Sequence, residues 1–189
     1  MESAMTLFLE KGYGRTTIED IARAAGVTRG ALYWHFNEGK PELFNTLIKE
    51  GILRVGRTLE EIFEQRGSPS EKLKAVMTSW LRYLETDEAY RKAMQLAIFN
   101  NERNPDFSNG LKEKSEGNML AIQFIVKIIK EGKSNGEIRA DLDPELFGLS
   151  AYCFLWGVSE LWLFNPELFS LVEISESMVE TFLNGIYPK

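Results

Sequence analysis

The sequence predicts an all-α protein, with a small three-helix N-terminal domain of the helix-turn-helix type and a larger helical domain behind it. Three observations carry this. Apolar residues recur at helical spacing along most of the chain, and no strand-like alternation appears. Gly, Pro, Ser and Asn fall between the periodic stretches, where helices end. Residues 16–36, TTIEDIARAAGVTRGALYWHF, read as two short helices joined by a tight turn. The domains are expected over residues 1–45 and 46–189.

Residues 2–11 form the first helix, with Ala4, Met5, Leu7 and Phe8 inside and Gly12 as its end. Thr17 and Asp20 fit a capping box, in which each side chain satisfies a free N–H at a helix start. Ile18, Ile21, Ala22 and Ala25 then share one helical face, and Gly26 supplies the sharp turn. Thr28 caps the next helix, and Val27 and Leu32 fit a hydrophobic staple. On that helix Leu32 and Phe36 point to a core, while Arg29, Gly30, Tyr33 and Trp34 lie on the other side.

Glycine inside a short helix costs about 0.5–1 kcal/mol. A helix that presses its backbone against a large partner has a reason to accept that cost. Arginine reads guanine bidentately in the major groove, and hydroxyls, His and main-chain N–H groups hold phosphates. The residues therefore fit a recognition helix over 28–35. From spacing alone, an αα-corner with a polar outer face fits as well.

A long helix is expected over 41–66, opened by Pro41 and carrying Phe44, Leu47, Ile48, Ile52, Val55, Leu59, Ile62 and Phe63. A turn at 67–70 precedes helices over 70–86 and 88–101. Residues 100–110 are rich in Asn, Gly and Pro and read as a loop or an irregular helix start. A helix over 111–133 has Leu120, Ile122, Phe124, Ile125, Ile128 and Ile129 as its apolar half. Asp143 caps, and Pro144 opens, a helix to 164 that is apolar nearly all round. Such a helix is buried on both sides, so one side is expected to face a second copy of the chain. The last helix is expected over 171–187, with Leu171, Ile174, Met178, Phe182 and Ile186 as one stripe. The dimer interface falls on these two helices, with Trp162, Met178 and Phe182 as its test positions.

Composition excludes several classes. Cys153 is the single cysteine and His35 the single histidine, so there is no internal disulfide framework, and these two residues alone cannot supply a zinc site. Cys153 reads as an inert core residue. No apolar run reaches the roughly 18 residues of a membrane span, and no signal peptide is visible. A cytoplasmic protein with no membrane partner is expected. Catalytic chemistry is missing too: there is no glycine-rich phosphate loop and no Ser/His/Asp set with usable spacing. The reading is therefore not an enzyme, with no catalytic residue, metal or cofactor. Net charge is −6, but residues 11–40 carry Lys11, Arg15, Arg23, Arg29 and Lys40 against Glu19, Asp20 and Glu38. That modest basic zone suits DNA binding by two copies together and by base reading. The alternative is a helical adaptor or small-molecule-binding protein that does not touch DNA.

Phe8, Gly12-Tyr13, Thr16-Thr17, Ile21-Ala22, Ala25-Gly26-Val27, Gly30, Leu32-Tyr33 and His35-Phe36 closely resemble the DNA-binding domain of the tetracycline-repressor (TetR) family. The run VTRGALYWHF at 27–36 looks most like repressors of multidrug efflux pumps, the AcrR-like subgroup. Gly136 to Arg139, Asp141 to Pro144 and the run GVSELWLF at 157–164 look like the last two helices of that subgroup. The resemblance thus covers essentially the whole chain.

It implies a ligand-responsive transcriptional regulator, a homodimeric repressor released from a near-palindromic operator by a lipophilic small molecule. Its partners are double-stranded operator DNA, that effector and a second copy of the chain. The DNA-binding residues it implies are Thr17, Thr28, Arg29, Gly30, Tyr33, Trp34, His35 and Lys40. The effector residues it implies are Leu73, Met77, Trp80, Gln95, Phe99, Ala121, Ile125, Tyr152 and Trp156, while Glu160 is expected in a salt bridge. Two departures stand out. Relatives begin the first helix earlier, after a basic segment, so either the start is truncated or some phosphate contacts are missing. Relatives also place a Lys three residues after the Phe of this motif. Here Gly39 is an extra residue and Lys40 follows Phe36 by four.

Overall fold

A computed structural model describes residues 1–99, 108–184 and 186, and only the backbone over 108–116. The described chain is helical throughout its regular structure: α1 (Glu2–Lys11), α2 (Ile18–Ala25), α3 (Arg29–His35), α4 (Lys40–Glu64), α5 (Pro69–Thr86), α6 (Glu88–Phe99), α7 (Ser108–Ser134), α8 (Pro144–Phe164) and α9 (Leu171–Leu183). It divides into two compact units. One holds Met1–Arg54 and Ala89–Glu113, the other Val55–Glu88 and Lys114–Lys189.

The first unit is built on aromatic packing. Phe8, Tyr13 and Phe44 meet with ring centroids 5.7, 5.1 and 5.0 Å apart, among buried Ala4, Ile21, Leu43, Leu47 and Leu96. Leu32 and Phe36 of α3 pack against this cluster, which anchors α3 by one face only. The Thr17–Asp20 capping box forms on both sides, and Gly26 takes the left-handed conformation at φ 66° that ends α2. Thr16 is fully buried and its hydroxyl donates to the Gly12 carbonyl at 2.8 Å, fixing the turn between α1 and α2.

The second unit packs α5 against α8 and α9. Leu73, Met77, Leu81 and Leu84 form one fully buried stripe of α5. Gly148 lets α8 approach α7: a Cβ there would stand 2.6 Å from Val126 Cγ2. Polar groups hold the helix ends. Glu137 accepts from the Ser70 main-chain N–H at 3.2 Å and from its hydroxyl at 2.9 Å. Glu85 accepts from the Val172 N–H at 2.8 Å at the start of α9.

Several expectations are corrected. α5 begins at Pro69 rather than 70, because Ser68 and Glu71 form a second capping box inside the stretch read as a turn. α7 begins at Ser108, inside the stretch read as a loop, and the rest of that loop (100–107) lies outside the described residues. α9 ends at Leu183; residues 185 and 187–189 of the expected helix lie outside the described ones. Its buried stripe is Leu171, Ser175, Val179 and Leu183. Of the expected stripe, Leu171 and Ile186 are buried, while Ile174, Met178 and Phe182 form the neighbouring half-exposed face. Leu120 is exposed on α7 rather than in its apolar half. α8 is long and apolar enough on average to cross a membrane, although its apolar run is broken; half of its most apolar window is buried in the fold. Its Gly, Ser and Glu residues interrupt the run without lowering the mean far enough to exclude a span.

Candidate functional site

α3 has no buried residue. Its outer face presents Arg29, Gly30, Tyr33, Trp34 and His35 to solvent, and Trp34 is 77% exposed. Among the described residues, a Cβ at Gly30 would meet Thr28 Oγ1 at 3.9 Å, an ordinary contact, and no packing explains glycine there. Thr28 caps α3 by accepting from the Ala31 N–H at 3.1 Å. Thr17 is exposed but its hydroxyl is tied to the Asp20 carboxylate at 2.8 Å. That bond comes first among the causes that hold the Asp20 carboxyl below its usual range.

Arg29 is held from two sides. Its Nη1 lies 2.6 Å from Glu19 Oε1, and its guanidinium sits 5.3 Å from the centre of the Tyr33 ring. Hydrogen bonding to Tyr33 and the Glu19 charge raise its already high pKa. Tyr33 rests on the turn after α3. A Cβ on Gly39 would stand 3.0 Å from Tyr33 Cε1, and Gly39 has φ 70°, so both space and backbone demand glycine. The extra residue is therefore a seat for Tyr33. Trp34 and His35 meet edge to face at 4.6 Å.

Lys40, expected at a phosphate, is occupied within the chain. It is half-buried, donates to the Tyr13 carbonyl at 3.0 Å and lies 4.0 Å over the Tyr13 ring. Its ammonium thus lies against Tyr13 of the first unit's own core.

The expected effector residues belong to both compact units. Gln95, half-buried, and Phe99, exposed, belong to α6 in the first unit. Trp80, Ala121, Tyr152 and Trp156 come together in the second, with Ile122 and Val126. Trp80 meets Tyr152 edge to face at 6.2 Å, and Tyr152 stacks on Trp156 at 5.9 Å. Burial pushes the Tyr152 phenol up to about 12. Among the described residues, the Trp80 indole N–H is buried without a hydrogen-bond partner. Leu73 and Met77 are fully buried and Ile125 nearly so. Sequence reading missed Ile122 and Val126; their spacing of four, opposite Gly148, was the available signal.

The expected interface residues also divide. Trp162 is 4% exposed and donates its indole N–H to the Phe169 carbonyl at 3.0 Å, packed within the chain's own α8–α9 corner. Met178 and Phe182 line an open groove of about 410 Å³ with Phe154, Ile174, Ser177 and Thr181. Leu146, Leu149, Leu161 and Phe164 are exposed on α8, and so is Cys153, which is not a core residue. Glu160 is exposed as well. Among the described residues, no three His, Cys, Asp or Glu side chains gather as a metal ion requires.

The helix-turn-helix geometry agrees with comparison to known proteins. The model for bacterial regulatory proteins of the tetR family matches residues 1–47, and that for the C-terminal region of the YsiA-like protein matches residues 49–185. The chain belongs to the TetR family.

TetR-family proteins are ligand-responsive DNA-binding transcriptional regulators, not enzymes, and this chain is one of them. It is 25% identical to the fatty acid metabolism regulator protein of Bacillus subtilis, over all of this chain and 94% of that one. NalD, the secondary repressor of the MexAB-OprM multidrug efflux pump in Pseudomonas aeruginosa, superposes with a TM-score of 0.86 at 26% identity, covering all of this chain and 94% of NalD. SmeT of Stenotrophomonas maltophilia, in its triclosan complex, gives 0.85 at 26% identity, covering all of this chain and 90% of SmeT.

Proposed function

We propose that this TetR-family regulator is a homodimeric repressor that reads a near-palindromic operator with α3 and leaves it when a lipophilic small molecule binds. The observation that carries the first half is the solvent-facing side of α3. Arg29, Tyr33, Trp34 and His35 stand exposed beside a glycine that no packing among the described residues requires. Thr28 and His35 serve as phosphate partners, Gly30 as the point of close approach, and Arg29 as the base reader. Lys40 and Thr17 act at one remove, through the bonds that hold the Tyr13 turn and the α2 cap. The regulator works in the cytoplasm, where its DNA is.

The second half rests on the aromatic cluster. Trp80, Tyr152 and Trp156 offer flat apolar surface, and the unpaired Trp80 N–H offers one donor. A few polar groups in an apolar lining suit drug-sized or acyl ligands. The relatives' names point the same way: one regulates fatty acid metabolism, one represses an efflux pump, and one is bound to triclosan. The helix α4 is unbroken from Lys40 to Glu64 and contributes residues to both compact units. A tilt of its C-terminal half is thereby passed to the half that carries the head.

Ligand and operator must then antagonise each other with equal coupling, typically about 1–3 kcal/mol. The test is a screen of triclosan, long-chain acyl compounds and lipophilic cations against the protein on a selected operator. Tryptophan quenching and operator release are followed in the same samples. Quenching that weakens operator binding supports the reading. Tight quenching with unchanged operator affinity removes ligand control and leaves the DNA-binding assignment standing.

A further inference from the structure

We propose that Glu19 is a positioning residue for sequence reading: it holds Arg29 toward base edges and away from the phosphates. The proposal rests on the reading of α3 as the DNA-contacting helix. Glu19 lies in the first turn of α2, and its Oε1 meets Arg29 Nη1 at 2.6 Å across the helix-turn-helix corner. Both side chains are well exposed, 55% and 61%. An exposed pair of this kind is screened by solvent and contributes little stability. Stability therefore does not account for an acidic group on the face that must approach a polyanion.

Control of the arginine does account for it. A free arginine side chain samples many rotamers and reaches phosphate oxygens easily, giving affinity without sequence information. Here Tyr33 lies against the guanidinium at 5.3 Å, Gly39 seats Tyr33, and Glu19 takes one nitrogen. Tyr33 is hydrogen-bonded to the guanidinium as well, and the N–H groups left by both partners face a base from a fixed planar fork. The Glu19 charge also repels neighbouring phosphates, so it weakens binding to any duplex. A group that lowers general affinity and narrows one base reader increases discrimination.

The experiment uses the full chain and the operator that the wild type selects. Wild type, Glu19→Gln, Arg29→Ala and the double variant are each titrated with that operator and with a scrambled duplex. Glu19→Gln should bind the scrambled duplex more tightly and lose about tenfold in discrimination, within the range of one bidentate base contact. In the Arg29→Ala background the same change should leave discrimination unaltered, because Glu19 acts through Arg29. Thermal melting should show Glu19→Gln folded like the wild type. Full discrimination in Glu19→Gln overturns the proposal, and so does an equal loss in both backgrounds. A wild type that selects no sequence removes the DNA reading itself, a different result from a wild type that selects one and ignores Glu19→Gln.

Discussion

The ammonium of Lys40 donates to the main-chain carbonyl of Tyr13 at 3.0 Å and lies 4.0 Å from the centre of the same ring. One side chain thus ties the start of α4 to the turn between α1 and α2. A charge-assisted hydrogen bond and a cation–π contact together are worth about 1–3 kcal/mol. Lys40→Met should lower the stability of the protein by that amount, read by denaturant or thermal melting. Plots of operator affinity against salt should keep their slope, since no phosphate contact is lost. A slope lower by about one would show Lys40 on a phosphate instead.

Trp162 and Phe182 should separate folding from assembly. Trp162 is sealed in the α8–α9 corner, and truncating a buried Trp costs about 3–5 kcal/mol. Trp162→Ala should therefore lose cooperative melting. Phe182 stacks on Phe154 at 4.6 Å in the half-exposed groove of the same helices. Phe182→Glu should keep its helical circular dichroism and sediment as a monomer, while the wild type sediments as a dimer. A dimeric Phe182→Glu would put the interface elsewhere.

The Trp80 N–H should mark the effector site. Trp80→Phe keeps an aromatic ring and removes the buried donor. An effector that accepts a hydrogen bond should lose about five- to tenfold in affinity, the scale of one net hydrogen bond. A hydrocarbon analogue lacking the acceptor should bind both forms alike. Calorimetric titration of matched ligand pairs reads this. Equal losses for both ligands would reduce Trp80 to a packing surface.

Glu137 makes stability depend on pH. Desolvation works to raise its pKa, but the Ser70 N–H, the Ser70 and Ser68 hydroxyls and Asn135 outweigh it, and the folded value lies below the ordinary 4.5. A carboxyl with a lowered folded pKa stabilises in full above the unfolded value and loses that contribution as pH falls through the folded one. The melting-temperature gap between wild type and Glu137→Gln should be widest near neutrality and close on acidification. A gap that does not change with pH would deny the carboxylate this role.

Much of the head was legible because its signals are local. The Thr17–Asp20 cap, the Gly26 turn and the Thr28 cap each lie within a few residues of the backbone they govern. The Ser68–Glu71 cap carries the same local signature, yet Gly67 and Pro69 beside it read as a turn. What sequence missed depends on distant partners. Met178 and Val179 are both apolar neighbours on α9, and only packing on α5 decides that Val179 goes inside. Trp162 looks like an interface residue until the Phe169 carbonyl is seen to take its N–H. The Lys40 contact with Tyr13, 27 residues away, has no local signal either. The grouping of Trp80, Tyr152 and Trp156 joins α5 to α8, a relation no spacing within one helix reports.

The central claim, that exposed α3 residues read DNA in two symmetric copies, is tested most directly by selecting bound fragments from random duplex DNA with wild type and Arg29→Ala in parallel. The wild type should enrich a near-palindromic site with half-site centres about one helical turn, roughly 34 Å, or slightly more apart. Arg29→Ala should bind that site about 1–3 kcal/mol more weakly and lose preference at one base pair in each half. A wild type that enriches no sequence, or an Arg29→Ala variant that enriches the same site with the same affinity, would contradict it.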